Sequence, residues 1–331
     1  MEWDAATDAT VYGTAAPARF WVALEQNGPW GRAAATQSHL PADLGATLEQ
    51  ACASRGGRLS LIRTPGLHPD LAPQTHQVLV AWTGNDAAPA FLLGARVADP
   101  VHLLALDVDA LARGDEVTVR RSLPDLGPTA PVLLVCTNGR RDVCCAVRGR
   151  PVALAGQAAH PGRVWECSHT GGHRFSPTGV VLPWGRTLAR LGDDGVGLAL
   201  AAADSGRLAA ELLGPWHDRG SSALTPRQQA AESAVRALLG ETDPTALTTS
   251  VPTAPATSIP TAPATSVPTA PATSVPTAND VDVTHRDGRG WRVRLSVVEG
   301  AARRNSCHDE PVAARTWHAE VTDRQPSSPL A

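Results

Sequence analysis

Residues 132–150 read VLLVCTNGRRDVCCAVRGR, and residues 164–175 read VWECSHTGGHRF. The first stretch opens as an apolar run, Val132–Val135, that stops at Cys136 and turns at Asn138-Gly139. Such a run bounded by a turn signal is a short buried strand. Val164–Cys167 and Gly179–Leu182 read as further strands, with Thr187–Leu191 a weaker one, and Pro151–Ala159 is expected to form a short helix between the first two. Strand, helix and strand in alternation predict an α/β unit, a sheet flanked by helices. Thr225-Pro226-Arg227-Gln228 has a Thr cap, Pro at the first helical position and Gln three residues on, so a helix should run to Leu239 and stop at Gly240. Ser205–Leu213 also has a helical pattern.

Upstream lies a similar unit. Phe20–Gln26 reads as a strand ending in Asn27-Gly28, Pro41–Ser54 as a helix, and Arg58–Arg63 and Gln77–Trp82 as strands. Aligning the two Asn-Gly pairs puts Glu25 level with Cys136 and Ala34 level with Cys145. This suggests either an internal duplication whose first copy lacks these cysteines, or two unrelated strands that end in the same common turn. The turn-rich segment 123–131 separates the units. The expected organisation is a disordered tail over 1–16, an α/β unit without ligands over 17–122, and a second α/β unit over 130–242. A linker over 243–279 and a small β-rich module over 280–323 complete it. The linker contains VPTAPATS, IPTAPATS and VPTAPATS in tandem, then VPTA. Proline at this frequency forbids helix and central strand, so the tract is expected to be an extended spacer. Val281–Arg286 and Trp291–Val298 flank Asp287-Gly288-Arg289-Gly290 and read as a hairpin.

The chain has 331 residues and is 43% hydrophobic, enough for two domains with real cores. Its formal charge of −3 comes without a basic block, which argues against a nucleic-acid partner. No apolar run is long enough to span a membrane, and the first residues lack the features of a signal peptide. A cytoplasmic protein is expected. Cysteine usage fits this. Of the six, Cys136, Cys144, Cys145 and Cys167 crowd together, and such clustering without an export signal favours metal or redox chemistry over a disulfide framework.

Eight residues separate Cys136 from Cys145, and three separate His169 from His173. Two thiolates and two imidazoles are a full set of donors for one metal centre. A zinc knuckle closes a tighter cysteine turn, whereas a loop this long can wrap a larger object. A structural zinc site with these four donors is the competing reading. A thiol–disulfide enzyme is a third, weakened by the lack of a Cys-x-x-Cys pair. Cys144 is the obvious rival to Cys145. Cys167 lies close to His169 but reads as a bystander, Cys52 as a buried small hydrophobe, and Cys307 beside His308 as an ordinary thiol. Arg140, Arg141 and Arg174 either offset charge at the site, dock a partner, or are plain solvated arginines. Trp165 and Phe175 read as core.

These motifs resemble the sucrase/ferredoxin-like family, a branch of the thioredoxin-like ferredoxins. The matching residues are Cys136-Thr-Asn-Gly-Arg-Arg-Asp142, Cys144-Cys145-Ala146, Gly149-Arg-Pro151 and Ser168-His-Thr-Gly-Gly-His-Arg-Phe175. Val181-Leu-Pro183, Gly28-Pro-Trp-Gly31 and Leu61-Ile-Arg63 also fit, so the resemblance spans about residues 13 to 240. It implies a [2Fe–2S] cluster in a thioredoxin-like domain, with Cys136 and Cys145 on one iron and His169 and His173 on the other. It also implies an electron carrier rather than an enzyme, working between a redox donor and acceptor. Gly171 and Gly172 would let backbone amides approach the cluster. Nothing supports the sugar-cleaving half of the family name, since no carboxylate pair argues for glycoside hydrolysis. Replacing two thiolates by neutral imidazoles makes the oxidised cluster neutral instead of doubly negative, which raises its potential. Rieske centres lie at about −150 to +300 mV against about −400 mV for plant-type ferredoxins. Imidazole ligands can also lose a proton, so electron transfer should be pH-coupled.

Overall fold

The computed structural model describes residues 10–66, 74–85, 88–252, 279–306 and 309–324. The first half of the chain forms β1 (Phe20–Glu25), α1 (Ala34–Gln37), α2 (Ala42–Ala53), β2 (Arg58–Arg63), β3 (His76–Trp82), β4 (Phe91–Val97), α3 (Val108–Arg113), α4 (Glu116–Ser122) and β5 (Gly127–Pro128). The second forms β6 (Val132–Cys136), α5 (Val143–Ala159), β7 (Val164–Cys167), β8 (Gly179–Leu182), β9 (Arg186–Leu188), α6 (Asp193–Asp204), β10 (Asp218–Ser221) and α7 (Pro226–Leu239).

All ten strands belong to one mixed sheet, ordered β10-β9-β8-β6-β7-β2-β1-β3-β4-β5. The order is symmetric about the β2–β7 seam. In each half the first two strands run parallel, as a β-α-β unit must, and the next two add antiparallel. The last paired residue of β1, Glu25, faces Ile62, and that of β6, Cys136, faces Cys167. The hydrogen bond that follows is the same in both: Gln26 N–H to the Ile62 carbonyl at 2.8 Å, Thr137 N–H to the Cys167 carbonyl at 3.2 Å. The Asn-Gly alignment therefore pairs equivalent backbone positions. The turn-rich segment 123–131 is not a break between sheets, because β5 within it pairs with β4.

β1 and β6 read as uninterrupted apolar runs because both faces are covered: every residue of each is buried. One core lies between the first-half strands and α2–α4, around Phe20, Leu24, Leu61, Leu103 and Leu111. Another lies under α5 and α6, around Leu133, Val135, Val164 and Leu200. Cys136, Cys145 and Cys167 belong to a third, on the opposite face, with Trp21, Ile62 and Leu134.

Four expectations need correction. The tail over 1–16 is not disordered throughout: residues 10–16 pack down, with Val11 and Tyr12 buried and Val11 and Ala15 hydrogen-bonded to Pro215 and Arg219. Small residues here let the backbone lie flat on β10, a feature composition hides. The helix expected from Pro151 begins at Val143, where Asp142 caps it, and Pro151 sits inside it. Proline costs one intrahelical bond, but the helix is held by packing against the sheet. The Ser205–Leu213 helix is absent; the helix ends at Asp204 and only a 3₁₀ turn forms over Ala210–Leu212. The linker starts later than residue 243, because β11 (Leu247–Ser250) precedes the repeats.

β11 pairs with β12 (Asp280–His285) in a second, antiparallel sheet with β13 (Gly290–Arg303) and β14 (Val312–Arg324). The repeat tract thus leaves and returns to neighbouring strands, Ser250 facing Asp282. Residues 253–278, Cys307, His308 and the two chain ends lie outside the described residues. α7 joins the sheets. Ala230, Ala231 and Val235 pack on Val281, Val283 and Trp291. Its other side is fixed by a buried ionic network, Arg186 with Asp218 and Glu232, and Glu232 with Arg236. Among the described residues no helix is long and apolar enough to cross a membrane.

Candidate functional site

β6 ends at Cys136, whose side chain is buried at the carboxyl end of the strand. Asn138 then closes the turn: its side-chain oxygen accepts from the Arg140 N–H at 3.1 Å, and its amide donates to the Gly31 carbonyl at 3.0 Å. Asp142 caps α5 by accepting from the Cys144 N–H at 3.1 Å. This places Cys145 in the first helical turn facing inward, fully buried, while Cys144 is half-exposed. Helix phase thus separates the adjacent cysteines. β7 delivers Cys167 beside Cys136, and the chain then leaves the sheet through His169, Gly171-Gly172 and a 3₁₀ turn over His173–Phe175. Both glycines have positive φ, 75° and 70°, which side chains rarely tolerate.

The four expected donors converge. The Cys136 and Cys145 thiols are hydrogen-bonded to each other. Cys145 Sγ lies 3.1 Å from His173 Nδ1. The His169 and His173 rings stack with centroids 4.9 Å apart. His169 Nδ1 is buried with no hydrogen-bond partner, which leaves a ring nitrogen available inside the site. The thiols lie deep, whereas both histidines are half-exposed and line a cleft of about 380 Å³ with Arg32, Arg141, Arg174 and Asp309.

The electrostatics are uneven. The hydrogen bond from Cys145 holds Cys136 well below the ordinary thiol range against the effect of burial, helped by His169 and the Thr170 N–H. Cys145 is pushed far up by donating to Cys136 and by burial. Cys167 is pushed up by burial. Burial pulls His173 down. No disulfide joins the described cysteines. Cys52 sits on α2 in the first core, its thiol pushed up to about 12 by burial.

Among the described residues no three His, Cys, Asp or Glu side chains are grouped around a single point as a metal ion would require.

Trp165 and Phe175 are core residues, as expected, and Arg140 is one of the exposed arginines. Arg140 lines a separate cleft of about 330 Å³ with Trp30, Arg63 and Arg150. Phe175 is buried, its ring flanked by the guanidinium groups of Arg174, Arg190 and Arg219 at 4.6, 5.3 and 5.9 Å. Trp165 is buried and donates to the Gly162 carbonyl at 3.2 Å. A Cβ on Gly172 would meet Arg219 Nη2 at 2.4 Å, so this glycine also makes room for a guanidinium.

Two arginines escaped the sequence reading. Arg58, on β2, is 3.5 Å from the His169 carbonyl, and its Nε is buried without a partner. Strand alternation carries a signal for it, because Arg58, Ser60 and Ile62 share one face of a buried strand. Arg219, on β10, is fully buried and binds the Gly171 carbonyl at 2.9 Å. No local pattern points to it.

No curated protein and no solved structure matches the chain. The sucrase/ferredoxin-like family matches it over residues 11–203, from the packed strap to the end of α6, and so includes all four converging donors but neither Arg219 nor the small sheet. That match covers more than half of the residues: the chain belongs to the sucrase/ferredoxin-like family.

Proposed function

We propose that the chain is a one-electron carrier whose second half is a thioredoxin-like ferredoxin domain holding a [2Fe–2S] cluster. The observation that carries this reading is the convergence of two buried, mutually hydrogen-bonded thiols with two stacked imidazoles, one with an unpartnered ring nitrogen. Cys136 and Cys145 would hold one iron, His169 and His173 the other. The order β9-β8-β6-β7, with β6 and β7 parallel and α5 between them in sequence, supports the thioredoxin-like reading.

The eight-residue spacing between Cys136 and Cys145 suits a two-iron cluster better than the tight cysteine turn of a structural zinc site. When bound, the cluster supplies a site that accepts and releases one electron. The protein's part is positional. α5 and β6 bury the thiols away from water, and the glycine turn presents the histidine edges at the surface. Buried thiols also disfavour a thiol–disulfide enzyme, whose sulfur must be reached by its partner.

Electrons would enter and leave on the histidine side. There the half-exposed rings share a cleft with Arg32, Arg141 and Arg174 against a single acid, Asp309. Redox donor and acceptor proteins with acidic docking faces suit this rim. Thiols that form no disulfide suit the cytoplasm.

The test is the purified chain's iron, acid-labile sulfide and zinc content, with EPR after dithionite reduction for wild type, His169→Cys and His173→Cys. Two irons and two sulfides per chain are expected, with an EPR spectrum that changes in both variants. Stoichiometric zinc without sulfide would overturn the reading, and an unchanged spectrum in both variants would rule out imidazole ligation.

A further inference from the structure

Arg219 is 0% exposed. Its Nε donates to Thr14 Oγ1 at 3.0 Å, Nη1 to the Gly171 carbonyl at 2.9 Å, and Nη2 to the Thr14 carbonyl. It thereby ties the packed N-terminal strap to the turn that carries His173. Unlike Arg186 and Arg236, which are equally enclosed and paired with Asp218 and Glu232, Arg219 has no carboxylate partner among the described residues. A buried charge without a counter-charge is costly. The contact of Arg219 with the site is the Gly171 carbonyl, in the turn between His169 and His173. Gly172 is shaped around it, since any Cβ there would strike the guanidinium.

We propose that Arg219 is a positioning residue that raises the reduction potential of this site by holding a fixed positive charge behind the histidine turn. The inference rests on the reading above and adds to it the element that tunes the potential. With two thiolate and two neutral imidazole ligands the oxidised cluster is neutral, and one added electron makes it singly negative. A nearby cation therefore stabilises the reduced form more than the oxidised one. Burial keeps water and salt from screening the effect. Arginine suits the place because its planar fork satisfies three acceptors at once. Burial lowers its pKa only to about 9, so it stays charged near neutrality.

The experiment is an EPR-monitored redox titration of the full, cluster-loaded chain for wild type, Arg219→Gln and Arg219→Lys, with iron and sulfide measured on each sample. Wild-type iron and sulfide content tests the cluster itself; the difference between variants tests Arg219. Arg219→Gln should load its cluster and show a midpoint lowered by at least tenfold in the oxidised-to-reduced ratio, which is 59 mV for one electron. Arg219→Lys, which keeps the charge, should stay within threefold of wild type. An Arg219→Gln protein with full iron and an unchanged midpoint would overturn the proposal and leave Arg219 a purely structural clamp. Should Arg219→Gln fail to fold or to load, Arg219→Lys decides: a wild-type midpoint supports the charge assignment, and a tenfold fall overturns it.

Discussion

The two halves of the large sheet repeat the same strand order and close their central β-α-β units with the same hydrogen bond, yet among the described residues only the second brings two cysteines and two histidines together. At the end of β6 stands Cys136; at the end of β1 stands Glu25, whose carboxylate accepts from the Gln77 N–H at 2.8 Å. Opposite Cys145 the alignment places Ala34. Level with Ser168-His169, which follow β7, stand Arg63-Thr64 at the end of β2. A backbone frame alone, then, makes no site. The first half serves differently. Its β2 forms the seam and presents Arg58 and Ser60 toward the His169 carbonyl and the Cys167 thiol. One half carries the donors, and the other supplies wall and charge.

The sharpest way to break this comparison is to move the donors. Cys136→Ser or Cys145→Ala should abolish iron and sulfide binding, whereas Cys144→Ser should keep the full complement, because Cys144 points away from the buried face of α5. Glu25→Cys combined with Ala34→Cys should gain no cluster, since no histidine pair faces those positions among the described residues. Iron and sulfide per chain decide both. Cluster formation in the first half would show that the frame itself specifies the site.

The sheet's central strands were legible because burial on both faces writes itself as unbroken apolar runs, VLLV and FWVAL. The helix over 226–239 was equally legible through its capping box and Gly240. That Cys136, Cys145, His169 and His173 come together was legible from spacing and motif. Their enclosure was not. Arg219 is 46 residues beyond His173 and comes near only because β10 joins the edge of the sheet. The start of α5 was hidden by Pro151, whose local cost the packing of Val152 and Ala153 outweighs. Pairing of β2 with β7 left no local trace, because two short antiparallel contacts between halves depend on the whole topology.

That seam is the next place to test. Arg63, from the first half, pairs with Glu166, from the second, at 2.8 Å, with side chains 5% and 1% exposed. Thr137 donates to the same carboxylate at 2.8 Å. Removing one member strands a buried charge, so Arg63→Met or Glu166→Leu alone should lower stability by about 3–5 kcal/mol. The double variant should recover much of that loss, because an apolar pair leaves no charge behind. Urea midpoints with constant slope would measure this. Equal losses in single and double variants would mean that the seam does not depend on the pair.

Each half also has a helical glycine pressed against backbone. A Cβ on Gly149 would lie 2.3 Å from the Cys136 carbonyl oxygen, and one on Gly45 would lie 1.8 Å from that of Ala35. Alanine is the better helix former by about 1 kcal/mol. The clash should still win, and each Gly→Ala variant should lose about 1–3 kcal/mol by thermal or urea unfolding. The two should differ in iron content. Gly149→Ala displaces the strand end that carries Cys136 and should reduce it, while Gly45→Ala should leave it intact.

The smallest expected difference concerns how the helices begin. α5 is capped by the Asp142 carboxylate, whereas α1 and α2 start at Ala33 and Pro41 with no side-chain cap. A cap satisfies backbone N–H groups that the first helical turn leaves without partners. Asp142→Ala should therefore cost about 1 kcal/mol, and Asp142→Asn, which can still accept, much less. Ala33→Ser on the exposed start of α1 should change stability in the opposite direction by no more than about 1 kcal/mol. The cap also bears on the site, because the turn it fixes orients Cys145. Asp142→Ala should lose iron faster than wild type on incubation with a chelator, and Ala33→Ser should not. If both variants released iron at the wild-type rate, the cap would stabilise the helix without helping to hold the thiol.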